Sequence, residues 1–187
     1  MTSVFTLEDF QNLVRNDFKD KEIKPLIEAL ENLLIDSDEF TKDDFVLCCN
    51  IVPPVQYFQT LLHAVRNDDE GTAAKSNLKR IVDVFRRIPI LKTEDEKYAL
   101  YDRTIKGDCK VSFHYKHSRW DYYISGLYKE NVVGYQLVDS NPNYLFSGEG
   151  DLHGLLVIPD IKLDFTALEE KTLEQLIQEQ YLVEKVS

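Results

Sequence analysis

In the first half of the chain, apolar residues recur every three or four positions, the spacing of one helix face. The pattern predicts helices over about 7–18, 21–35, 45–51, 54–65 and 72–88. Helix 72–88 is the clearest, because its apolar residues share one arc and basic residues occupy the remaining surface. A Thr41 cap and Pro54 in a first turn mark two of the predicted starts.

The period changes to two in the second half, which predicts β-strands. Apolar and polar residues alternate over 109–115 and 120–125, and further strands are predicted over 98–105, 132–138 and 153–158. Short polar loops at 117–119 and 129–131 separate neighbours, so consecutive strands are expected to pair antiparallel as a meander. A last helix is predicted from a Thr166 cap to about 184.

These patterns predict an α+β fold. An N-terminal helical segment would pack with a C-terminal antiparallel meander sheet and a closing C-terminal helix. A length of 187 residues suits one domain. We therefore expect a single domain over 1–187, with a possible sub-boundary near 93–97 between helical 1–92 and a sheet with the last helix in 98–187.

Composition predicts a globular protein of a reducing compartment. Hydrophobic residues make up 43% of the chain, and ten Tyr and ten Phe supply large apolar surface. The cysteines are Cys48, Cys49 and Cys109, an odd number that shows neither a disulfide framework nor metal-binding spacing. Neither a signal peptide nor a bilayer-spanning apolar run is visible. We expect a cytoplasmic or otherwise intracellular protein with no membrane partner.

Charge is distributed unevenly along this acidic chain. The net charge is −11, yet the stretches 75–92 and 103–119 together carry +9, which leaves −20 on the remainder. A net negative charge disfavours non-specific binding to nucleic acid and suits a basic protein partner. The basic stretches keep nucleic acid open as an alternative, unless their cations pair internally with acidic residues.

Cations lie beside aromatic rings around the predicted hairpin, which suits a protein interface or single-stranded nucleic acid. Alternatively, Trp120 and Tyr122 belong to the core and the lysines to the wet face. The net charge favours a protein partner over nucleic acid. The candidate contact residues are Lys79, Arg80, Arg86 and Arg87 on the helix, and Lys110, His114, Lys116, Arg119, Trp120 and Tyr123 around the hairpin.

A small acidic group offers a weaker alternative. Glu149, Asp151 and His153 recur at period two and, with His114, could bind a metal or act as acid and base. The glycines at 148 and 150 weigh against an ordered strand there and favour a turn, and the glycine spacing does not fit a phosphate loop. We expect no metal site, no cofactor and no catalytic residue.

Three functional hypotheses follow. The leading one is a small acidic protein-binding factor of inhibitor, adaptor or immunity type, which acts by contact and possibly masks a basic surface. The alternative is a nucleic-acid-associated protein that uses the basic helix and hairpin. The second alternative is a metal-assisted hydrolase built around the 149–153 group.

Overall fold

The computed structural model describes residues 41–64, 68–139 and 141–186. The helices predicted over 7–18 and 21–35 lie outside these residues. Within the described ranges, no helix is long and apolar enough to cross a membrane. The chain divides into two compact units, Met1–Asp83 and Val84–Ser187. The single-domain prediction stays a prediction.

The described part of the first unit is helical, as predicted. Helix α1 spans Lys42–Cys49, α2 spans Pro54–Ala64, and α3 spans Asp69–Arg87, which continues past the division between the units. Thr41 caps α1 in a capping box with Asp44. Buried apolar residues of all three helices and the α1–α2 turn form the core of this unit: Phe45, Cys48, Cys49, Ile51, Val52, Tyr57, Phe58, Leu61, Ala64, Ala74, Leu78, Ile81 and Val82.

The second unit contains a six-stranded sheet and three further helices in its described part. Its strands are β1 (Ile90–Leu91), β2 (Phe113–His117), β3 (Trp120–Tyr128), β4 (Asn131–Val138), β5 (Leu145–Gly150) and β6 (Lys162–Leu163). Its helices are α4 (Glu94–Ile105), α5 (Leu152–Leu156) and α6 (Leu173–Val186), and short 3-10 turns span Pro142–Tyr144 and Phe165–Ala167. The α+β class predicted from the sequence is therefore confirmed.

Strands β2 to β5 form a meander, β6 is added beside β2, and β1 is added at the end of β3. The sheet order is β5-β4-β3-β2-β6 with antiparallel neighbours, and β1 pairs in parallel with the end of β3. A register shift between Ile124 and Gly126 bulges β3 against β4. β5 forms an edge of the sheet, since it pairs with β4 alone among the described strands.

Two predicted strands are helices, and the predicted start of the last helix is wrong. The segment 98–105 belongs to α4, which Thr93 and Glu96 start with a capping box. The segment 153–158 is mostly α5, which Asp151 caps. The last helix begins at Leu173 because Thr172 and Gln175 exchange capping hydrogen bonds of 3.3 and 2.9 Å.

The sheet has a covered inner face and a partly open outer face. On the inner face, Val133, Tyr135 and Leu137 of β4 pack in one cluster with residues of α4 and α6, among them Leu100 and Leu173. On the outer face, Phe113 of β2 is buried and contacts Phe85, with ring centroids 6.4 Å apart. Toward β5 the outer face opens.

Candidate binding surface

The open part of the outer face carries a row of aromatic side chains. Tyr122 of β3 is paired with Gln136 of β4, which is paired with Phe146 of β5, so the three lie on one face. Trp120 precedes Tyr122 by two residues and shares that face. Trp120 is 37% exposed and Phe146 is 55% exposed. We call Trp120, Tyr122 and Phe146 the outer strip.

A cleft of about 260 Å³ adjoins the outer strip, and glycines line part of it. Gly134 lies opposite Gly148 on β5, and Leu155 and Ile158 line another part of the cleft. A Cβ on Gly134 would lie 1.8 Å from the Tyr123 carbonyl oxygen, so only glycine fits there. A Cβ on Gly148 would meet no atom within 4 Å. The strands therefore approach closely at one glycine and leave open space at the other.

A group of buried and partly buried polar side chains lies on the inner face at the other end of the sheet. His114 of β2 is 1% exposed, and its Nε2 lies 2.8 Å from Oδ1 of Asp121 on β3. Its Nδ1 lies 3.3 Å from Oδ2 of Asp164, an ion-pair distance without hydrogen-bond geometry. The Gln180 amide donates to the same Asp121 oxygen over 2.8 Å. We call His114, Asp121, Asp164 and Gln180 the polar cluster.

The surroundings of Asp164 in the polar cluster favour its charged form. Each ring nitrogen of His114 faces one of the two carboxylates, Nε2 that of Asp121 and Nδ1 that of Asp164. The nearby His114 ring holds the pKa of Asp164 well below its usual range, although partial burial opposes the shift. Hydrogen bonds from Thr166 lower that pKa further, and so does the nearby positive charge of Lys116. Asp164 is therefore an anion at neutral pH.

The polar cluster also fixes which hairpin side chains face outward. The Tyr123 hydroxyl donates to Gln180 Oε1 over 2.6 Å, and its ring stacks on His114 with centroids 4.5 Å apart. Side chains alternate along a strand, so burial of Asp121 and Tyr123 directs Trp120 and Tyr122 to the opposite face. The alternative that placed Trp120 and Tyr122 in the core had the phase of this strand wrong, because Tyr123 is fully buried and its neighbour Tyr122 is only partly buried.

The predicted contact residues around the hairpin separate into buried and exposed groups. His114 and Tyr123 lie in the core, so this fold keeps both from any partner surface. Lys116 is half-exposed and lies 3.1 Å from Oδ2 of Asp164. The guanidinium of Arg119 binds both carboxylate oxygens of Asp139, and Trp120 remains exposed beside it.

The other predicted contact residues do not form one group with the hairpin. Lys110 is exposed and forms an isolated β-bridge with Thr172. Arg86 and Arg87 are exposed at the end of α3, and Arg87 lies 2.8 Å from Glu169. Lys79 and Arg80 are partly buried on the same helix within the first unit.

A buried lysine connects α4 to the edge strand. Nζ of Lys97 lies 2.6 Å from Glu94 and 2.9 Å from Glu149 of β5. Hydrogen bonds with these two carboxylates raise its pKa, so Lys97 is a cation. The ammonium also lies 5.0 Å from the centroid of the Tyr128 ring. The Tyr101 hydroxyl of α4 donates to the Gly148 carbonyl over 2.8 Å.

A groove of about 440 Å³ lies between α4 and β5. Tyr98, Tyr101, Asp102 and Ile105 line its helical side at the spacing of one helix face, and Leu145 and Ser147 line its strand side. Sequence reasoning missed this edge groove, because 98–105 was predicted as a strand and 148–154 as a turn. The Thr93–Glu96 capping pattern was the signal that could have identified α4.

The residues of the acidic group at 149–153 have separate partners in this fold. Glu149 is bound to Lys97, and Asp151 accepts hydrogen bonds from the backbone N–H groups of His153 and Gly154. His114 lies in the polar cluster instead. Among the residues that the structure describes, no group of three or more His, Cys, Asp or Glu could hold a metal ion.

The adjacent cysteines of α1 are buried and protonated. Burial raises the pKa of the Cys48 thiol far above its usual range and that of Cys49 to about 12. A thiol reacts as its thiolate, so neither group is an activated nucleophile. They belong to the core of the first unit.

Comparison with known protein families, curated proteins and solved structures finds no match for this chain. A functional argument therefore depends on the geometry of the outer strip, the cleft and the edge groove.

Proposed function

We propose that the chain is a protein-binding factor that acts by contact, of inhibitor, adaptor or immunity type, and not an enzyme. The outer strip carries the proposal, because it displays large aromatic side chains on an ordered sheet. Aromatic residues are enriched in protein interfaces and dominate their binding energy. An adjoining cleft lined in part by backbone gives a partner side chain room to enter.

The charge of the chain supports a basic partner. The net charge is −11, and the hairpin cations Lys116 and Arg119 are paired with Asp164 and Asp139. The hairpin therefore offers little excess positive charge to a polyanion. Masking a basic surface of the partner suits this distribution, and steering by opposite charge would raise the association rate. The free cysteines support an intracellular location.

The nucleic-acid alternative is less well supported, because these ion pairs neutralise the hairpin cations that it would use. A gel-shift titration with single-stranded RNA and duplex DNA at low salt tests it directly. Salt-sensitive binding in the micromolar range, abolished by Lys116→Glu with Arg119→Glu, would replace the protein-partner proposal by this alternative.

Capture from the native host tests the proposed function. The full chain and the double variant Trp120→Ala with Phe146→Ala would serve as baits, followed by mass spectrometry and calorimetry with the purified candidate. We expect the variant to lose one partner that the wild-type chain retains, with affinity lower by about a hundredfold or more.

Ile90→Ala is the matched control for that capture. Ile90 is a 73% exposed apolar residue of β1, which pairs with the far end of β3. A partner that binds all three baits equally, or none, would overturn the proposed role of the outer strip.

A further inference from the structure

We propose that the edge of β5 accepts an extended, basic segment of the partner protein as an additional strand. This inference rests on the proposed function and names the partner's chemistry and its docking position. Strand addition gives affinity through backbone hydrogen bonds and specificity through alternate side chains.

The backbone of β5 is exposed on one side. The strand pairs with β4 only, and the residues from Phe146 to Gly150 are all exposed. Within the described ranges, the Tyr101 hydroxyl is the single additional group that binds its backbone, at the Gly148 carbonyl. A carbonyl oxygen has two lone pairs, so that acceptor is not exhausted. No proline or lysine protects this edge from pairing.

The groove beside β5 supplies apolar contacts for an added strand. Tyr98 is 62% exposed and Ile105 is 55% exposed, and both lie on the face of α4 that lines the groove. Exposed apolar side chains along a groove are typical of an interaction site. Side chains of an added strand would alternate between this groove and the outer face, where Phe146 lies.

The groove is held open before any partner arrives. Lys97 joins the start of α4 to Glu149, and Tyr101 joins the middle of α4 to Gly148. The Tyr135 hydroxyl of β4 donates to the Tyr101 carbonyl over 2.9 Å, so a third bond fixes the helix against the sheet. A preformed groove lowers the ordering cost of binding.

Charge selects a basic occupant. The groove lining contains one charged side chain, the 75% exposed Asp102, whose carboxylate lies 3.7 Å from the exposed Lys106 ammonium. At the end of the groove, Lys97 is outnumbered by the carboxylates of Glu94 and Glu149. A second copy of this chain fits poorly, because each copy has a net charge of −11. Lysine or arginine side chains on the added strand would complement this field.

Calorimetry of the full chain with synthetic peptides tests the proposal. The probe is a capped peptide of about eight alternating lysine and valine residues, a usual strand length. One comparison peptide carries N-methyl groups at alternate residues, which remove the N–H donors along one strand edge. Another has glutamate in place of lysine. We expect binding of the first peptide only.

Variants of the chain locate the peptide. Ile105→Ala is expected to weaken binding by about tenfold, whereas the matched exposed isoleucine variant Ile90→Ala leaves it unchanged. Equal binding of the N-methylated peptide overturns strand addition, and equal binding of the glutamate peptide overturns the basic occupant. An unchanged affinity for Ile105→Ala, or no binding by any peptide, overturns the edge-groove proposal.

Two further results separate this inference from the proposed function. A dimer in sedimentation experiments that Ile105→Ala dissociates would make a second copy the occupant. A captured partner that depends on Trp120 and Phe146, together with no effect of Ile105→Ala on that complex, would leave the proposed function standing and refute strand addition.

Discussion

The two ends of the sheet in Val84–Ser187 are built in opposite ways. At the β2 end, buried polar side chains contact one another closely, and the polar cluster holds a histidine between two carboxylates. At the β5 end, glycines leave open space, and an exposed strand edge borders a groove. Changes at the first end should act on stability, whereas changes at the second should act on binding.

The difference teaches how this fold presents a surface without losing order. Burial of Asp121 and Tyr123 on the inner face fixes the outward direction of the outer strip. The open end of the sheet therefore needs few side chains of its own to orient Trp120 and Tyr122. Single substitutions with matched controls test the comparison.

Removing the histidine of the polar cluster should have the largest effect. His114→Ala leaves the carboxylates of Asp121 and Asp164 without their shared buried partner, which we expect to destabilise the fold by about 3–5 kcal/mol. Urea unfolding followed by circular dichroism measures the loss.

The exposed His153 provides the matched control for that substitution. His153→Ala should change the free energy of unfolding by less than about 0.5 kcal/mol. Equal effects of the two alanine variants would contradict the structural role assigned to His114.

The second-largest effect on stability should come from acidic pH, which acts at the same end of the sheet. Folding lowers the pKa of Asp164, so the folded state binds fewer protons than the unfolded chain. The stabilisation is fully present above the ordinary carboxyl pKa of 3.8 and disappears as the pH falls below it. We expect Asp164→Asn to lose about 1.5–3 kcal/mol at pH 7, the contribution of charged hydrogen bonds, and to flatten the acid side of the stability curve.

Unfolding in urea at a series of pH values between neutrality and strong acid measures that slope. Asp139→Asn is the control, because its pair with Arg119 is exposed and screened by solvent. An acid dependence that is identical in wild type and Asp164→Asn would refute the assignment.

The smallest effect on stability is expected at the glycines between β4 and β5. Gly134→Ala forces a Cβ against the Tyr123 carbonyl and should destabilise by about 1–3 kcal/mol. Gly148→Ala meets open space and should be nearly neutral. Thermal unfolding of the two variants compares them directly, and equal melting temperatures would contradict the close approach at Gly134.

Local sequence signals predicted those elements whose boundaries are set by residues close in sequence. The Thr41 capping box, Pro54 at the start of α2 and the two hairpin turns all appear as expected. Alternation over 120–125 predicted β3, although the strand extends further to Tyr128. These signals act within a few residues, so they can be read from sequence.

The missed features depend on tertiary partners. His114 was predicted as a partner contact, but it is buried beside Asp121 of β3 and Asp164 of the segment after β6. β5 lacks clear alternation and contains two glycines, so pairing with β4 alone makes it a strand. The edge groove exists only once α4 and β5 are adjacent, which no local pattern announces.

The two adjacent cysteines of α1 make opening of the first unit measurable by chemical labelling. Cys48 and Cys49 are inaccessible and protonated in the native first unit, while Cys109 of the second unit is partly exposed. An alkylating reagent should therefore label Cys109 readily and label the α1 pair only during transient opening of Met1–Asp83. The labelling rate of that pair, measured by mass spectrometry while the sheet is still folded, reports whether the first unit opens alone or only together with the second.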